Sequence, residues 1–596
     1  MNDITFSARL EAREPELKSL YLELYGNETC YAELLKNLEA FYESRSKRLK
    51  CRDAEKSMTP DWYKSEGLLG MMLYIDNFAG NLTGVREKLP YLEQANVNYL
   101  HLMPFLDTVP ERSDGGYAVA DFRKVRPDLG TMEDLEALTN ACHEKGMNVC
   151  MDFVMNHTSE DHEWSKRARA GEGKYMSRYF FYADPSVPAA YEKTVPQVFP
   201  TTAPGNFTWL PEAGHYVMTT FYPYQWDLNY ANPVVFNEMM YNFLYLANRG
   251  VDVVRIDAVP YIWKEIGTTC RNLPQVHTIV RMMRLIGEIV CPSVILLGEV
   301  VMAPEYLAPY FGTVEKPECH LLYNCTTMAT TWHTVATRDV RLLRFQLDTV
   351  AKLPKDQVFL NYLRCHDDIG WGLDYPTLNT WGMAEVPHKK YLNDYFRGLT
   401  GSDARGELYN EDPVTGDARL CGTTASLCGM EGADQDTAIR KNLMLHAMML
   451  FQSGIPVLYS GDEIGQKNDW DYKQDPNKVQ DSRYLHRGKM PWELTERITE
   501  PATAEARIFD GLKELEELRR SHKAFAAHAD FWTFDTGSDA VLGLGRWLDG
   551  EGLLGLFNFG DVPHTLPMEE ARNMLTGRPV GGTVTVPAND FLWLKF

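Results

Sequence analysis

The sequence predicts an α/β fold, a (β/α)8 barrel of the TIM type, on three observations. Eight short apolar runs with strand character follow one another, amphipathic segments lie between them, and polar residues collect at the C-terminal ends of the runs. The runs are LLGMMLYI (68–75), NYLHLMP (98–104), NVCMDFVMNH (148–157), VDVVRID (251–257), SVILLGEV (293–300), CHLLYN (319–324), VFLNYLRCHD (358–367) and IPVLYSGDE (455–463). Between them, TMEDLEALTNACHEKG (131–146) and PVVFNEMMYNFLYLANRG (233–250) carry apolar residues at helical spacing and end in Gly.

The barrel is expected over 65–157, 231–367 and 433–524, interrupted by insertions at 158–230 after the third strand and 368–432 after the seventh. Connections of that length at the C-terminal strand ends are where barrel enzymes build specificity. Residues 1–64 are charged and helix-patterned and read as a helical N-terminal domain. After about residue 525, short alternating runs such as AVLGLGRW, GLLGLFNF and FLWLKF predict an all-β sandwich over 525–596.

Composition narrows the function. The 596 residues are 44% apolar and 24% charged, with a formal net charge of −22, so nucleic acid and anionic membrane are poor partners and a neutral sugar is compatible. The N-terminal stretch lacks the basic and apolar regions of a signal peptide and no window is apolar enough for a membrane span, which predicts a cytoplasmic protein. Eleven Cys without C-x-x-C pairs fit reduced thiols rather than a disulfide framework or a zinc site. No P-loop or dinucleotide fingerprint is present, and HTSEDHEW (157–164) lacks the H-E-x-x-H spacing, so neither a cofactor nor a metal is expected. The expected assembly is a monomer or a homodimer.

VDVVRIDAVP (251–260) sets Arg255 and Asp257 into an apolar strand, where a charge costs several kcal/mol unless it is paired or used. Two residues apart, they point to the same side. That leaves a structural ion pair or the floor of an active site. Asp152, Asn156, His157, Glu299, His366, Asp367 and Asp368 also fall at C-terminal strand ends. Carboxylates converging on one rim repel one another, so some must be paired, protonated or catalytic.

DFVMNH, VDVVRIDAV, LLGEV and YLRCHDD, in this order, resemble the four sequence regions of the α-amylase clan of glycoside hydrolases and transglycosidases (glycoside hydrolase family 13). The resemblance implies Asp257 as nucleophile, Glu299 as general acid/base and Asp367 as the carboxylate that grips sugar hydroxyls. It further implies that Arg255 holds Asp257 ionised and that His157 and His366 donate hydrogen bonds to the glucosyl ring. SDGGYAVADFRKVRPDLGT (113–131), TTFYPYQWDLNYANP (219–233), HDDIGW (366–371) and QDSRYLHRG (480–488) are similar to the amylosucrase branch, which includes sucrose hydrolases. By that resemblance Asp114 and Arg483 close the bottom of a glucose pocket, Tyr117 forms a stacking platform, Gln225 belongs to the substrate site, and Asp368, Arg419 and Phe221 lie on the fructosyl side. Asn156 stands at a position that binds calcium in many amylases, an ion the branch usually lacks.

The implied activity is retaining α-glucosyl transfer from sucrose to an α-glucan, an oligosaccharide or water. Alternatives are a sucrose hydrolase, an exo-acting α-glucosidase, and a non-catalytic amylase-like binding subunit. Pro196 and Lys389 stand where the branch carries Arg on the acceptor side, which bears on glucan synthesis more than on sucrose cleavage.

Overall fold

The computed structural model describes residues 5–302 and 304–596. Its centre is a closed, all-parallel barrel of eight strands: β1 (Gly70–Leu73), β2 (Tyr99–Leu102), β3 (Asn148–Val154), β4 (Val253–Asp257), β5 (Ile295–Gly298), β6 (Leu321–Tyr323), β7 (Val358–Asn361) and β8 (Ile455–Tyr459). They pair in sequence order, and β1 meets both β2 and β8. Each falls inside one of the eight expected runs, and every strand residue is buried. Apolar side chains on both faces suit strands covered outside by helices and filled inside by one another.

Alternation along β4 decides where the charges go. Arg255 and Asp257 share a face, with Arg255 in register beside Asp152 of β3 and Leu297 of β5. Glu299 directly follows β5, and Gly298 before it is required by close approach: a Cβ there would lie 2.8 Å from Cys319 Sγ and from a Leu322 methyl.

Two insertions close over the C-terminal rim. Between β3 and β4, Phe181–Tyr182, Phe207–Leu210 and His215–Met218 form a small antiparallel sheet, and Gln225–Asp227 pairs with His157–Ser159. Between β7 and β8, Arg419–Cys421 pairs antiparallel with Ile369–Gly370 and with Glu407–Tyr409. That register sets Arg419 beside Gly370, within reach of Asp368.

The C-terminal residues form a six-stranded antiparallel sheet from Asp530–Phe534 to Asp590–Lys595. Arg546 fixes it to the barrel. Its guanidinium is fully buried and donates to the carbonyls of Phe451 (2.9 Å), Ala524 (2.6 Å) and Ala526 (2.7 Å). Burial lowers its pKa to about 9.

Three helices precede the barrel: α1 (Phe6–Tyr25), α2 (Glu28–Ser44) and α3 (Lys47–Met58). Thr5, Asn27 and Ser46 cap them, each side chain accepting a backbone N–H of the first turn. Leu17, Tyr21, Leu34 and Leu38 join the core of the barrel. The α3 end is held by charge. Arg45 makes a two-pronged bond to Asp53 (2.7 and 2.8 Å), and Asp252, just before β4, accepts from Arg52 (2.7 Å), Lys56 (3.0 Å), His143 (2.8 Å) and the Val149 N–H (2.9 Å). Burial acts to raise the Asp252 pKa, but the attraction of Lys56, His143 and Arg52 outweighs it and holds the carboxyl well below the usual range. Among the described residues no helix is long and apolar enough to cross a membrane.

Removing the acid while leaving buried cations costs about 3–5 kcal/mol. Asp252→Ala is therefore expected to lower the thermal midpoint by several degrees, with an unchanged midpoint in a calorimetric scan counting against the clamp. The folded carboxyl titrates below its unfolded value, so this stabilisation is present above the unfolded pKa, near 4, and is lost as pH falls through the folded one.

Candidate active site

A cavity of about 680 Å³ opens at the C-terminal end of the barrel, within the usual range for small-molecule sites. Asp114, Tyr117, His157, Phe221, Arg255, Asp257, Glu299, His366, Asp367, Asp368, Arg419 and Arg483, all expected from the sequence, line it. Gln225 does not. It is fully buried behind the wall and donates to Asp114 Oδ2 at 3.1 Å.

Arg255 is the hub. Its Nη1 bonds Asp257 Oδ1 at 2.6 Å, its Nη2 bonds Glu299 Oε1 at 2.7 Å, and its Nε lies 3.4 Å from Asp152. The rings of Tyr117 and Tyr323 stand over the guanidinium at 5.5 and 5.6 Å. Glu299 Oε2 also accepts the Ala258 N–H at 2.9 Å. Ala258 reaches that position in the left-handed region at φ 49°, a strained conformation for a residue with a Cβ.

One guanidinium cannot neutralise three carboxylates. Asp257 is pushed well above the usual carboxylate range by burial and by Glu299, and Glu299 is raised by burial against the pull of Arg255. The two titrate as a pair, each raised above the ordinary carboxylate range. Asp367 goes the other way. Burial would raise its pKa, but His366 and the guanidinium groups of Arg487, Arg483 and Arg255 hold it well below the usual range. Burial lowers the pKa of His157 and His366 to about 3, so both rings are neutral. Tyr117 stacks on His366 with ring centroids 5.4 Å apart, and its hydroxyl lies 2.6 Å from His366 Nε2 and 2.7 Å from Asp152.

An ion pair forms part of the cavity wall: Arg483 Nη2 bonds Asp114 Oδ1 at 2.8 Å and Asp481 Oδ2 at 2.8 Å. Asp114 is placed by a tight turn. Gly116 follows at φ 99°, and a Cβ there would strike the Pro104 carbonyl at 2.8 Å. Also on the wall, Arg419 pairs with Asp368 at 3.3 Å, and Phe221 packs between His157 and Tyr261. Lys389 lines the cavity, but its ammonium is taken by Glu385 (2.6 Å) and Asp417 (2.5 Å). Pro196 has no side-chain cation, yet Arg271 donates to its carbonyl at 3.0 Å.

The family model described as the α-amylase catalytic domain matches residues 40–368. A trehalose synthase of Thermus thermophilus is 31% identical over 417 residues, which are 68% of this chain and 39% of that protein. A glucosylglycerate phosphorylase of Escherichia coli is 27% identical over 584 residues, 96% of this chain and 98% of that one. Among solved structures, the trehalulose synthase MutB of Pseudomonas mesoacidophila superposes with a TM-score of 0.67 over 90% of this chain and 99% of its own, at 20% identity, a likeness of fold. The chain belongs to the α-amylase family and is an enzyme of that family.

Two elements of the site were not foreseen. Arg487, in the same QDSRYLHRG segment as the expected Arg483, donates to the His366 carbonyl (2.6 Å) and reaches Asp367 (3.5 Å). Lys264 bonds Asn156 Oδ1 at 2.9 Å and lies 3.4 Å from Asp227, which Asn156 also contacts. Its signal was a lone Lys in the apolar YIWKEIG segment after β4.

At the position of Asn156, where calcium is bound in many amylases, the Lys264 ammonium stands among the oxygens that would be its ligands, so the residues present do not fit the ion. Cys365, His366 and Asp367 place possible ligand atoms within 4.8 Å of one another, but Arg483 and Arg487 beside Asp367 oppose a further cation. Chelation with EDTA is thus expected to leave the thermal midpoint and turnover unchanged. Lys264→Met, which strands the buried Asp227, is expected to lower the midpoint by several degrees, corresponding to about 3 kcal/mol. Loss of activity on chelation, restored by calcium, would contradict the assignment.

Proposed function

We propose that this enzyme is a retaining α-glucosyl transferase of the amylosucrase type, acting in the cytoplasm on sucrose. The observation that carries the reading is one buried guanidinium holding two carboxylates in a cavity whose wall includes the Asp114–Arg483 ion pair. Taken as the floor of a glucose pocket, as the resemblance to the amylosucrase branch implies, that pair suits a single terminal glucosyl unit and disfavours a threading chain.

In this reading Arg255 occupies Asp257 Oδ1 and leaves Oδ2 to attack the anomeric carbon. Glu299 gives its proton to the glycosidic oxygen as the bond to carbon breaks, so fructose departs neutral and a glucosyl ester remains on Asp257. Glu299 accepts from Arg255 on Oε1 and from Ala258 on Oε2, and the proton it delivers occupies the remaining lone pair of one of these oxygens. An acceptor hydroxyl, deprotonated by Glu299, then releases the ester. Asp367, kept ionised by its arginines, grips two sugar hydroxyls, and neutral His157 and His366 serve as further hydrogen-bonding partners. Asp368 and Arg419 face the fructosyl unit. With the Lys389 ammonium already paired, the acceptor side offers a long glucan little free positive charge, which favours short acceptors or water.

A second reading is phosphorolysis of an α-glucoside, favoured by the match to 98% of the length of the E. coli glucosylglycerate phosphorylase. One assay separates the two. Sucrose alone should yield fructose in excess of glucose, with oligosaccharide. Equal amounts would make the enzyme a hydrolase, and glucose 1-phosphate formed only when phosphate is added would favour the second reading. No turnover of sucrose under either condition would overturn the sucrose assignment.

Asp257→Asn is expected to reduce turnover more than about a thousandfold, because the covalent route then lacks its nucleophile. The pH profile of kcat/KM should be bell-shaped. Activity falls on the acid side when the pair takes up a second proton, and on the alkaline side when it loses the one it shares. Because both carboxyls are raised, the alkaline limb should lie above the ordinary carboxylate range. A profile flat from the carboxylate range upward would argue against a shared proton.

A further inference from the structure

Residues 196–204 of the insertion after β3, PQVFPTTAP, contribute Gln197, Val198, Phe199 and Pro200 to the wall of the catalytic cavity. Pro196, Pro200 and Pro204 have no N–H, so the stretch is unsuited to a strand ladder. Within it the Ala203 N–H donates to the Phe199 carbonyl at 2.9 Å, closing one turn. Side chains from elsewhere in the chain set its position. Arg271, after β4, donates to the Pro196 carbonyl at 3.0 Å. The Phe199 ring lies 5.2 Å from that of Tyr222 and 6.4 Å from that of Tyr409, and the Arg419 guanidinium stands 5.8 Å from its centre.

The C-terminal part of the stretch is met by Asn410, a cavity-lining residue of the other insertion, the one after β7. Asn410 Oδ1 accepts from the hydroxyls of both Thr201 and Thr202, the second at 2.9 Å. One amide oxygen thus joins segments that lie 209 residues apart in the chain. Asn410 directly follows the strand Glu407–Tyr409, whose register with Arg419–Cys421 is fixed, and it leaves that strand at φ 52°. This is a left-handed conformation that Asn tolerates better than most residues with a Cβ. Such strain persists where neighbouring contacts over-determine it. Here Tyr409, one residue earlier, shares a hydroxyl contact with Tyr222 of the first insertion at 2.5 Å.

We propose that Asn410 is a specificity-determining residue: by bridging the two insertions it fixes the wall at residues 197–200 and so sets how the glucosyl ester is shared between water and a sugar acceptor. The inference rests on the reading of Asp257 as the carrier of that ester. Either water or a sugar hydroxyl attacks the anomeric carbon, its proton passes to Glu299, and the Asp257 carboxylate leaves. The attack is the same in both cases, so the outcome turns on which oxygen is held in place and which is kept out. A wall free to shift admits water and loosens an acceptor that has to be placed to within about 1 Å. With three prolines and one internal turn, the stretch 196–204 depends on the Asn410 oxygen for part of that fixity.

The test compares the full-length parent with Asn410→Gly, Asn410→Asp and the Thr201→Val/Thr202→Val double variant, each supplied with sucrose and with maltose as acceptor. Glycine keeps the left-handed backbone and removes the bridging oxygen, whereas aspartate keeps an oxygen that accepts from both hydroxyls. The ratio of free glucose to transfer product should rise at least about threefold in the glycine variant and in the double threonine variant, and return toward the parent value with aspartate. Combining Asn410→Gly with the threonine changes should add nothing further, since both remove one contact. Loss of folded enzyme lowers the two products together and leaves their ratio in place. An unchanged ratio, or shifts that add in the combined variant, would overturn the role of Asn410 in specificity. Hydrogen exchange at the Ala203 amide reads the bridge without any substrate, so a parent that fails to cleave sucrose removes the sucrose reading alone. Exchange should quicken at least about threefold in the glycine and double threonine variants, and unchanged exchange would overturn the bridge itself.

Discussion

Everything at the catalytic rim depends on one buried cation. Arg255 sits on β4 among three carboxylates and two tyrosine rings and is almost wholly buried. Desolvating a guanidinium costs several kcal/mol, which close charge partners in a low-dielectric setting must offset. The three acids supply that compensation and become dependent on it in turn. Without Arg255, Asp152, Asp257 and Glu299 would repel one another across the barrel axis. The opposite shifts of Asp367 and of the Asp257–Glu299 pair follow from the same arithmetic, since Asp367 has arginines of its own and the pair must share one.

Specificity is built differently, from contacts between segments far apart in the chain. Asp114 meets Arg483, Asp368 meets Arg419, and Arg487 meets Asp367. Asp114–Arg483 and Asp367–Arg487 couple segments after different strands, and Asp368–Arg419 ties together the two ends of one insertion, so pocket shape depends on how these segments dock rather than on any single strand. The barrel fixes Arg255, Asp257 and Glu299, while the loops supply most of the remaining cavity wall.

The barrel was legible in the sequence because its strands are buried on both faces, and burial writes itself as unbroken apolar runs such as NVCMDFV and SVILLG. The rim carboxylates were legible because a charge in such a run is conspicuous. Arg487 was not, since it lies in a polar connection where a cation is unremarkable; Lys264 stands out in its apolar segment, but only the fold reveals Asn156 and Asp227 around it and Asp367 beside Arg487. Gln225 was expected in the substrate site, but sequence could not tell that it would support Asp114 from behind instead of facing the cavity. Nor could the neutralised state of Lys389 be foreseen, because Asp417 lies 28 residues away across a loop.

The helical clamp at the opposite end of the barrel has a temporal side. Asp252 stands at the foot of the strand that carries Arg255 and Asp257, and its cationic partners Arg52 and Lys56 lie some 200 residues earlier in the chain. Synthesis runs from the N-terminus, so the counterions have left the ribosome well before the acid they receive. A carboxylate too costly to bury alone thus emerges to find its partners already made, and the catalytic strand can settle as it is produced.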